Sequence, residues 1–223
     1  MVERPASDSS VPPVEAVVFD VGGVLIDWNP RHLYRKLIDD AAEMERFLAE
    51  VCTQDWNEQA DAGRSTVEIT EELCARHPDR RALIESYYAR FDEMMAGTLD
   101  ETVSLVEELH GQGLPLFVLS NFSAETFPLA RRRFSFFERF SGIVISGAEG
   151  LKKPDARLYT LLAERFGLVP ERILFIDDRR DNTEAARAAG WQAPEFSSAG
   201  RLAADLAALD LLATAPQPAQ RMA

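Results

Sequence analysis

The residues of this chain best suited to do chemistry are carboxylates placed directly after apolar runs. Asp20 ends the run VVF and is followed by VGGVL, and the pair Asp177 and Asp178 ends the run ILFI. Adjacent carboxylates at the end of a buried strand repel each other unless a cation lies between them. We therefore expect Asp177 and Asp178 to serve a metal site or an active site.

Two further motifs supply a hydroxyl group and an ammonium group. Ser120 and Asn121 follow the run LFVL, and Lys153 lies in GLKKPD, which opens a helix. Parallel strands of an α/β sheet end at one edge, where ligands bind, so these groups are expected to surround one point with Asp20. Taken alone, Ser120 and Asn121 are typical of a capped turn, and a lysine pair is typical of a solvated surface.

The combination favours phosphoryl transfer. Asp20 is suited to attack phosphorus and form an aspartyl-phosphate. Mg²⁺, a hard dication that prefers oxygen ligands, would bridge Asp20, Asp178 and a phosphate oxygen. Ser120 and the backbone N–H of Asn121 would hold phosphate oxygens, and Lys153 would offset the negative charge of the acids and the substrate.

Strands that alternate with helices are expected to position these groups. Strands are predicted over 14–20, 115–119, 142–145, 172–176 and 192–196. Helices are predicted over 98–110, 124–133, 155–166, 182–189 and 202–212, and the N-terminus of the second would add positive potential near a bound phosphate. This alternation predicts the α/β class, with a Rossmann-like, doubly wound parallel sheet as the core.

The segment between the first two of these strands has a helical pattern throughout. Helices are predicted over 41–52, 66–76 and 79–95, with no strand between 29 and 95, and the polar stretch 56–64 is predicted to be a loop. Such a block is expected to form an all-helical cap inserted over the sheet edge. We predict a core of 14–27 and 97–213, a cap domain of 28–96, and flexible ends at 1–13 and 214–223.

Composition limits the partners. The net charge of −13 disfavours nucleic acid and anionic membranes, and no apolar segment reaches the about 20 residues that span a bilayer. The N-terminus has no apolar core typical of a signal peptide. Cys52 and Cys74 predict reduced, buried thiols in a cytoplasmic protein, with a disulfide as an open alternative. We expect a small phosphorylated metabolite as partner, no nucleic acid, no membrane, and a monomer or homodimer.

Together the four motifs resemble those of the haloacid dehalogenase (HAD) superfamily. The matching stretches are FDVGGVL from Phe19, LSN from Leu119, GLKKPD with Tyr159, and FIDD with Asn182, Ala186, Gly190 and Trp191. The helical insert is similar to the cap of the first subclass. The opening motif is most similar to that of bacterial sugar-phosphate phosphatases, of which glucose-1-phosphatase is one.

The resemblance implies metal-binding and nucleophilic roles at the first and fourth motifs. Asp20 would be the nucleophile and a metal ligand, and Gly22 would give its backbone carbonyl to the metal. Asp178 would bind the metal directly and Asp177 through water, with Asn182 behind them.

The substrate-binding candidates are Ser120, Asn121, Lys153, Trp28, Trp56 and Asn57. The resemblance implies that the first three bind phosphate, that Ser120 and Lys153 also belong to the catalytic set, and that the lysine orients Asp20. Trp56 would stack on a sugar face and Asn57 would reach sugar hydroxyls. Packing of Trp28 and Trp56 in the cap core is the alternative.

Gly22 departs from the family pattern. Most phosphatases of the superfamily carry a second Asp there, which protonates the leaving group and then activates water. General acid–base help of this kind is worth roughly 10²–10⁴ in rate. By polarity alone, the candidates to replace it are Asp27, Asp55, Glu58 and Asp61.

Three functions are compatible with this departure. We favour a Mg²⁺-dependent phosphatase of a small phosphorylated metabolite, a sugar phosphate being the expected substrate. A 2-haloacid dehalogenase would also use Asp20 without a second Asp or a metal, but the pair Asp177 and Asp178 disfavours it. A non-catalytic HAD-fold binding protein is the third, and it is disfavoured by the presence of Asp20, Lys153 and the acid pair together.

Overall fold

Six short strands form two sheets in the computed structural model, which describes residues 12–212. The strands are β1 (Ala16–Phe19), β2 (Ile26–Trp28), β3 (Met95–Thr98), β4 (Leu116–Ser120), β5 (Gly142–Ile145) and β6 (Ile173–Ile176). Four of them form a parallel sheet in the order β5–β4–β1–β6. Because β1 is an inner strand, Asp20 follows the middle of the sheet.

The helices of the chain cover both faces of this sheet and also form the segment between β2 and β3. They are α1 (Arg31–Tyr34), α2 (Ala41–Glu50), α3 (Gln54–Asp61), α4 (Thr66–Arg76), α5 (Arg81–Ala89), α6 (Asp100–Gly111), α7 (Phe127–Arg133), α8 (Ser146–Glu149), α9 (Ala156–Phe166), α10 (Arg180–Ala188) and α11 (Ala199–Ala208). In β1, Val17 and Phe19 pack in a cluster with α6 and α11, whereas Ala16 and Val18 pack with α9 and α10. Burial on both faces explains the continuous apolar runs, and the predicted Rossmann-like fold is confirmed.

The helices α1 to α5 lie between β2 and β3, and we call the segment 31–94 the helical insert. β2 and β3 pair antiparallel, with an irregularity between Asp27 and Trp28, so both connections of the insert run through one two-stranded ribbon. This ribbon was not predicted. The helix predicted over 79–95 ends at Ala89 and continues through a 3-10 turn, Phe91–Met94, into β3. Strands of three or four residues are too short to show an alternation of polar and apolar residues. The two strands are also separated in sequence by the whole insert.

The stretch 56–64, predicted to be a loop, belongs mainly to α3. The Thr53 hydroxyl caps this helix by accepting a hydrogen bond from the Trp56 N–H at 3.1 Å. Gly63, which suggested the loop, lies just beyond the helix end with φ +97°. Asn57 and Asp61 are four residues apart and therefore share one face of α3.

Several smaller predictions also have outcomes. α7 begins at Phe127, three residues later than predicted, so its N-terminus is farther along the chain from Asn121. The stretch 192–196 makes only isolated bridges to β6 and Asp177 rather than a strand.

Cys52 and Cys74 are free and buried, as predicted. Within 12–212 no helix combines the length and apolarity needed to cross a membrane. Apart from residues 12 and 13, the ends predicted to be flexible lie outside the described residues.

Candidate active site

Asp20 lies at the carboxyl end of β1, where three donors hold one of its oxygens. Oδ1 accepts hydrogen bonds from the Val21 N–H and the Ser120 hydroxyl, each at 2.7 Å, and Lys153 Nζ lies 2.9 Å away. Oδ2 accepts no hydrogen bond from the described residues. Burial raises the pKa of Asp20 to about 6, against the lowering effect of Lys153. The arrangement leaves Oδ2 as the oxygen able to attack an electrophile or bind a cation.

The Lys153 ammonium group lies between two carboxylates. Its Nζ donates to Asp177 Oδ2 at 2.6 Å and lies 2.9 Å from Asp20 Oδ1, and its side chain is fully buried. Burial alone would lower the pKa of Lys153, but the two carboxylates raise it overall. Lys153 is therefore a permanent cation that holds the two acids together.

Asp177 has all its oxygens engaged. Oδ1 accepts the Arg179 N–H at 2.8 Å and the Asn182 amide at 3.0 Å, while Oδ2 accepts Lys153 and the same amide at 3.1 Å. A carboxylate held so fully is suited to orient the lysine and to reach a metal through water.

Asp20, Asp177 and Asp178 form an acidic cluster. Each offers a carboxylate oxygen, and these oxygens lie within 4.8 Å of one another. Burial raises the pKa of Asp178, and the Asp177 charge raises it further. Asn182 Oδ1 is buried without a hydrogen-bond partner in the described part of the chain, next to the same cluster. The carboxylate oxygens of this cluster, together with the orphaned oxygen of Asn182, fit a hard divalent ion and its water shell.

The two glycines of the first motif differ in backbone conformation and in the space around them. Gly23 has φ +74°, and a Cβ there would lie 2.4 Å from Asp178 Oδ2, so only glycine lets Asp178 approach. Gly22 has no neighbouring atom within 4 Å of an added Cβ. The strained turn therefore belongs to Gly23, and a side chain has room at position 22.

Ser120 and Asn121 have different roles at the end of β4. Ser120 is buried and donates to Asp20, as described above. The Asn121 side chain accepts the Lys153 N–H at 2.7 Å and donates to the Lys153 carbonyl at 2.9 Å. Asn121 therefore fixes with its side chain the backbone of residues 150–155, which we call the lysine loop, and this role was not visible in the sequence.

A cavity of about 210 Å³ opens between the sheet edge and the insert. It is lined by Asp20, Gly22, Gly23, Trp28, Gln54, Asn57, Glu58, Asp61, Phe91, Ser120, Asn121, Phe122, Lys153, Asp178, Arg179 and Asn182. The fold thus brings together the sequence-predicted site residues except Trp56 and Asp177. Asp177 lies directly behind the wall, in contact with Lys153.

The α3 helix provides the roof of this cavity. Asp61 is buried and accepts a hydrogen bond from the Asn57 amide at 3.2 Å, and Asn57 in turn accepts the Tyr88 hydroxyl at 3.0 Å. Burial raises the pKa of Asp61 to about 7, and the negative charge of Glu58 adds to the rise. Asp61 and Glu58 line the cavity, whereas Asp27 and Asp55 do not.

Glu58 connects the insert to the core through charge. It forms an ion pair with Lys152 and lies 3.5 Å from the Arg179 guanidinium. Arg179 was missed in the sequence, although it directly follows the acid pair. Of the two cations, Arg179 lines the cavity, where its positive charge would attract an anionic ligand.

The two tryptophans behave differently. Trp56 is buried in the insert, donates from Nε1 to the Ile69 carbonyl at 3.0 Å and packs edge-on against Tyr87. The idea that Trp56 stacks on a substrate does not fit this placement. Trp28 lines the cavity, and its indole N–H has no partner among residues 12–212.

Relatives of known activity include phosphatases. The chain is 28% identical to the sesquiterpene phosphatase astK of Aspergillus oryzae over 180 residues, 79% of this chain and 86% of that protein. It is 26% identical to the phosphoglycolate phosphatase of Shigella boydii over 204 residues, 79% of each protein.

Solved structures share the fold. A HAD-like family hydrolase from Porphyromonas gingivalis gives a TM-score of 0.71 at 21% identity and covers 89% of this chain and 98% of its own. A HAD family enzyme from Bacteroides thetaiotaomicron in complex with magnesium and inorganic phosphate gives 0.63 at 16% identity, with 83% and 95% covered. A dehalogenase gives 0.64 at 19% identity, with 88% and 99% covered, so the fold alone does not separate the two chemistries.

The sequence pattern of haloacid dehalogenase-like hydrolases matches residues 14–190. That range includes every residue of the acidic cluster, the lysine loop and the helical insert. The chain therefore belongs to the haloacid dehalogenase-like hydrolase family.

Proposed function

We propose that this chain is a Mg²⁺-dependent phosphatase of a small phosphorylated metabolite, a sugar phosphate being the favoured class. The observation that carries the proposal is the buried arrangement of Asp20, Lys153 and Asp177 at the sheet edge, open to one cavity. The phosphatases among the relatives support the same reaction class.

The mechanism follows from which atoms are held and which are accessible. With Oδ1 fixed by Ser120 and Lys153, Asp20 Oδ2 attacks phosphorus, the bond to the leaving oxygen breaks, and an aspartyl-phosphate forms. Water then attacks that phosphorus and returns the carboxylate. Lys153 offsets the charge that accumulates on the phosphoryl oxygens, and Ser120 orients the nucleophile.

The acidic cluster is the proposed Mg²⁺ site. Asp20 and Asp178 would hold the ion directly, Asp177 through water, and Gly22 through its carbonyl. When bound, the ion supplies positive charge to the phosphoryl group. The cluster also disfavours a metal-free dehalogenase, in which three acids with one buried lysine would face a carboxylate substrate.

The cavity lining supports a compact, partly polar leaving group. Gln54 and Asn57 place amides on this lining, Trp28 adds an indole whose N–H has no partner among residues 12–212, and Phe91 and Phe122 add apolar surface. A volume of about 210 Å³ suits a small metabolite.

Turnover of an aryl phosphate and of a panel of sugar phosphates, with Mg²⁺ and with a chelator, tests the proposal. We expect hydrolysis that requires the metal. L-2-chloropropionate is the parallel substrate, and chloride release without metal would establish the dehalogenase instead. If no phosphate is released with Mg²⁺, or if the chelator does not reduce the release, the proposal is contradicted. If neither assay gives product, a binding protein is favoured.

A further inference from the structure

The proposed reaction lacks a proton donor at the first motif. A leaving alkoxide needs a proton, and the residue two positions after Asp20 is Gly22, which has no side chain to supply one. Open space surrounds the Cβ position of Gly22, so no neighbouring residue of the core fills that place.

The opposite wall holds a carboxylate at the same cavity. Asp61 is the last residue of α3, and it lines the cavity together with Asp20 and Ser120. Its backbone carbonyl accepts the Ser146 hydroxyl at 2.5 Å, and Ser146 also receives the Phe122 N–H at 3.0 Å. One buried serine thus ties the end of α3 to the loop that follows β4.

The fit between α3 and the core is close. A Cβ on Gly147 would lie 2.6 Å from the Ala124 N, 2.8 Å from the Phe122 carbonyl and 3.1 Å from the Ala60 carbonyl. Only glycine at 147 lets the two backbones approach so closely. The position of Asp61 is therefore set by the core rather than by the insert alone.

We infer that Asp61 is the general acid and base that replaces the missing carboxylate at position 22, an inference that rests on the proposed phosphatase function. As Asp20 Oδ2 bonds to phosphorus and the ester bond breaks, the leaving oxygen takes the proton of the Asp61 carboxyl group. The Asp61 carboxylate then takes a proton from water, whose oxygen attacks the aspartyl-phosphate. Asp20 and phosphate are released, and Asp61 is protonated again.

The surroundings of Asp61 suit this cycle. Burial raises its pKa to about 7, Glu58 of the same helix and Asp20 add to the rise, and Lys152 of the lysine loop opposes it, as does the Ser123 backbone. From α5, Tyr87 and Tyr88 face it as neutral phenols. A carboxyl group that keeps its proton near neutral pH and can lose it is suited to both half-reactions.

The other acids fit less well. Glu58 lines the cavity, and burial acts to raise its pKa, but Lys152, Gln54 and Arg179 together outweigh burial and lower it, so Glu58 holds no proton to give. Asp27 contacts His32 at 3.0 Å, and Asp55 is exposed on α3, both outside the cavity.

The test compares Asp61→Asn with Asp55→Asn, an exposed carboxylate of the same helix. Each is assayed with Mg²⁺ on an alkyl phosphate, which needs a proton to leave, and on 2,4-dinitrophenyl phosphate, which does not. For Asp61→Asn we expect a loss of roughly 10²–10⁴ in kcat/KM on the alkyl ester and less than about tenfold on the aryl ester. Asp55→Asn should match the wild type on both.

Two readouts separate catalysis from folding. With the aryl ester, Asp61→Asn should accumulate the phosphorylated chain, seen as one added phosphoryl group by intact mass, because water activation is also lost. Gly22→Asp in the Asp61→Asn background should restore turnover of the alkyl ester, because position 22 has room for the side chain.

Equal losses on both esters, or an unchanged alkyl-ester rate, would overturn the role of Asp61. A misfolded variant would show no phosphorylation and no rescue, and Asp61→Ser then repeats the ester comparison with a smaller side chain. If the wild type hydrolyses neither ester, it is the phosphatase proposal that fails instead.

Discussion

The buried carboxylates at the two walls of the cavity have different kinds of side-chain partner. On the core side, Asp20 and Asp177 share the ammonium group of Lys153 at 2.9 and 2.6 Å. On the insert side, Asp61 has a neutral amide as its side-chain hydrogen-bond partner, and burial raises its pKa to about 7. Burial also raises the pKa of Asp20, to about 6, but Lys153 opposes that rise, so the core wall favours the charged carboxylate more than the insert wall does.

This contrast matches the two ends of the bond that a phosphatase breaks. The nucleophile and the phosphoryl group need compensated charge, while the leaving oxygen needs a proton. The family motifs supply the first requirement, and the tertiary contact between α3 and the core supplies the second.

The largest expected effect comes from the nucleophile on the core wall. Asp20→Asn should reduce kcat by more than about 10³-fold, because an amide oxygen is a poor nucleophile and cannot form the same covalent intermediate. Asp27→Asn changes a partly exposed carboxylate on β2, outside the cavity, and should leave kcat within about twofold. Phosphate release at saturating substrate measures both, and substantial turnover in Asp20→Asn would show that Asp20 is not the nucleophile.

The charge balance of the core wall is tested by removing its cation. Lys153→Met leaves Asp20 and Asp177 buried without their shared cation, and should lower the free energy of unfolding by about 3–5 kcal/mol. The neighbouring Lys152→Met removes a partly exposed ion pair with Glu58 and should cost less than about 1 kcal/mol. Urea unfolding without metal measures both, and equal effects would mean that the buried pair has no special stabilising role.

The proton held on the insert wall should appear in the pH dependence of stability. Asp61 ionises above its ordinary pKa of 3.8 in the unfolded chain, but only near 7 in the folded one. The wild type therefore loses stability relative to Asp61→Asn as pH rises from about 4 to 7, by at most about 4 kcal/mol, and the difference then levels off. Urea unfolding at a series of pH values measures it, and a constant difference between the two proteins would contradict the raised pKa.

A smaller effect separates Trp28, which lies on β2 and lines the cavity, from Trp56, which is buried in the insert. Trp56→Phe removes the hydrogen bond to Ile69 and should lower stability by about 1–3 kcal/mol, with KM unchanged within about twofold. Trp28→Phe removes a donor at the cavity and should raise KM with little loss of stability. Thermal unfolding and steady-state kinetics give the two values, and a raised KM for Trp56→Phe alone would restore the stacking role.

The difference between the walls also explains what the sequence could predict. Asp20, Ser120 and Asp177 each follow an apolar run, and a strand that is buried on both faces is visible as such a run. The sheet edge that collects them follows from parallel topology, so the core wall was predicted in its main residues.

The insert wall was only partly predicted, for physical reasons. α3 has a low apolar content, and Gly63 suggested a loop where a helix forms. The choice of Asp61 over Asp55 depends on the contact of α3 with Ser146 and Gly147, far away in the chain. The side chain of Asn121 is engaged by the Lys153 backbone, which no local pattern indicates.

Trapping of the covalent intermediate tests the central claim most directly. The wild type is mixed with 2,4-dinitrophenyl phosphate and Mg²⁺, quenched in acid within the first turnover and digested, and the peptide with the added phosphoryl group is sequenced by mass spectrometry. The account predicts one phosphoryl group on Asp20, absent when a chelator replaces Mg²⁺ and absent in Asp20→Asn. Phosphate release with no adduct at any time, or an adduct on another residue, would contradict it.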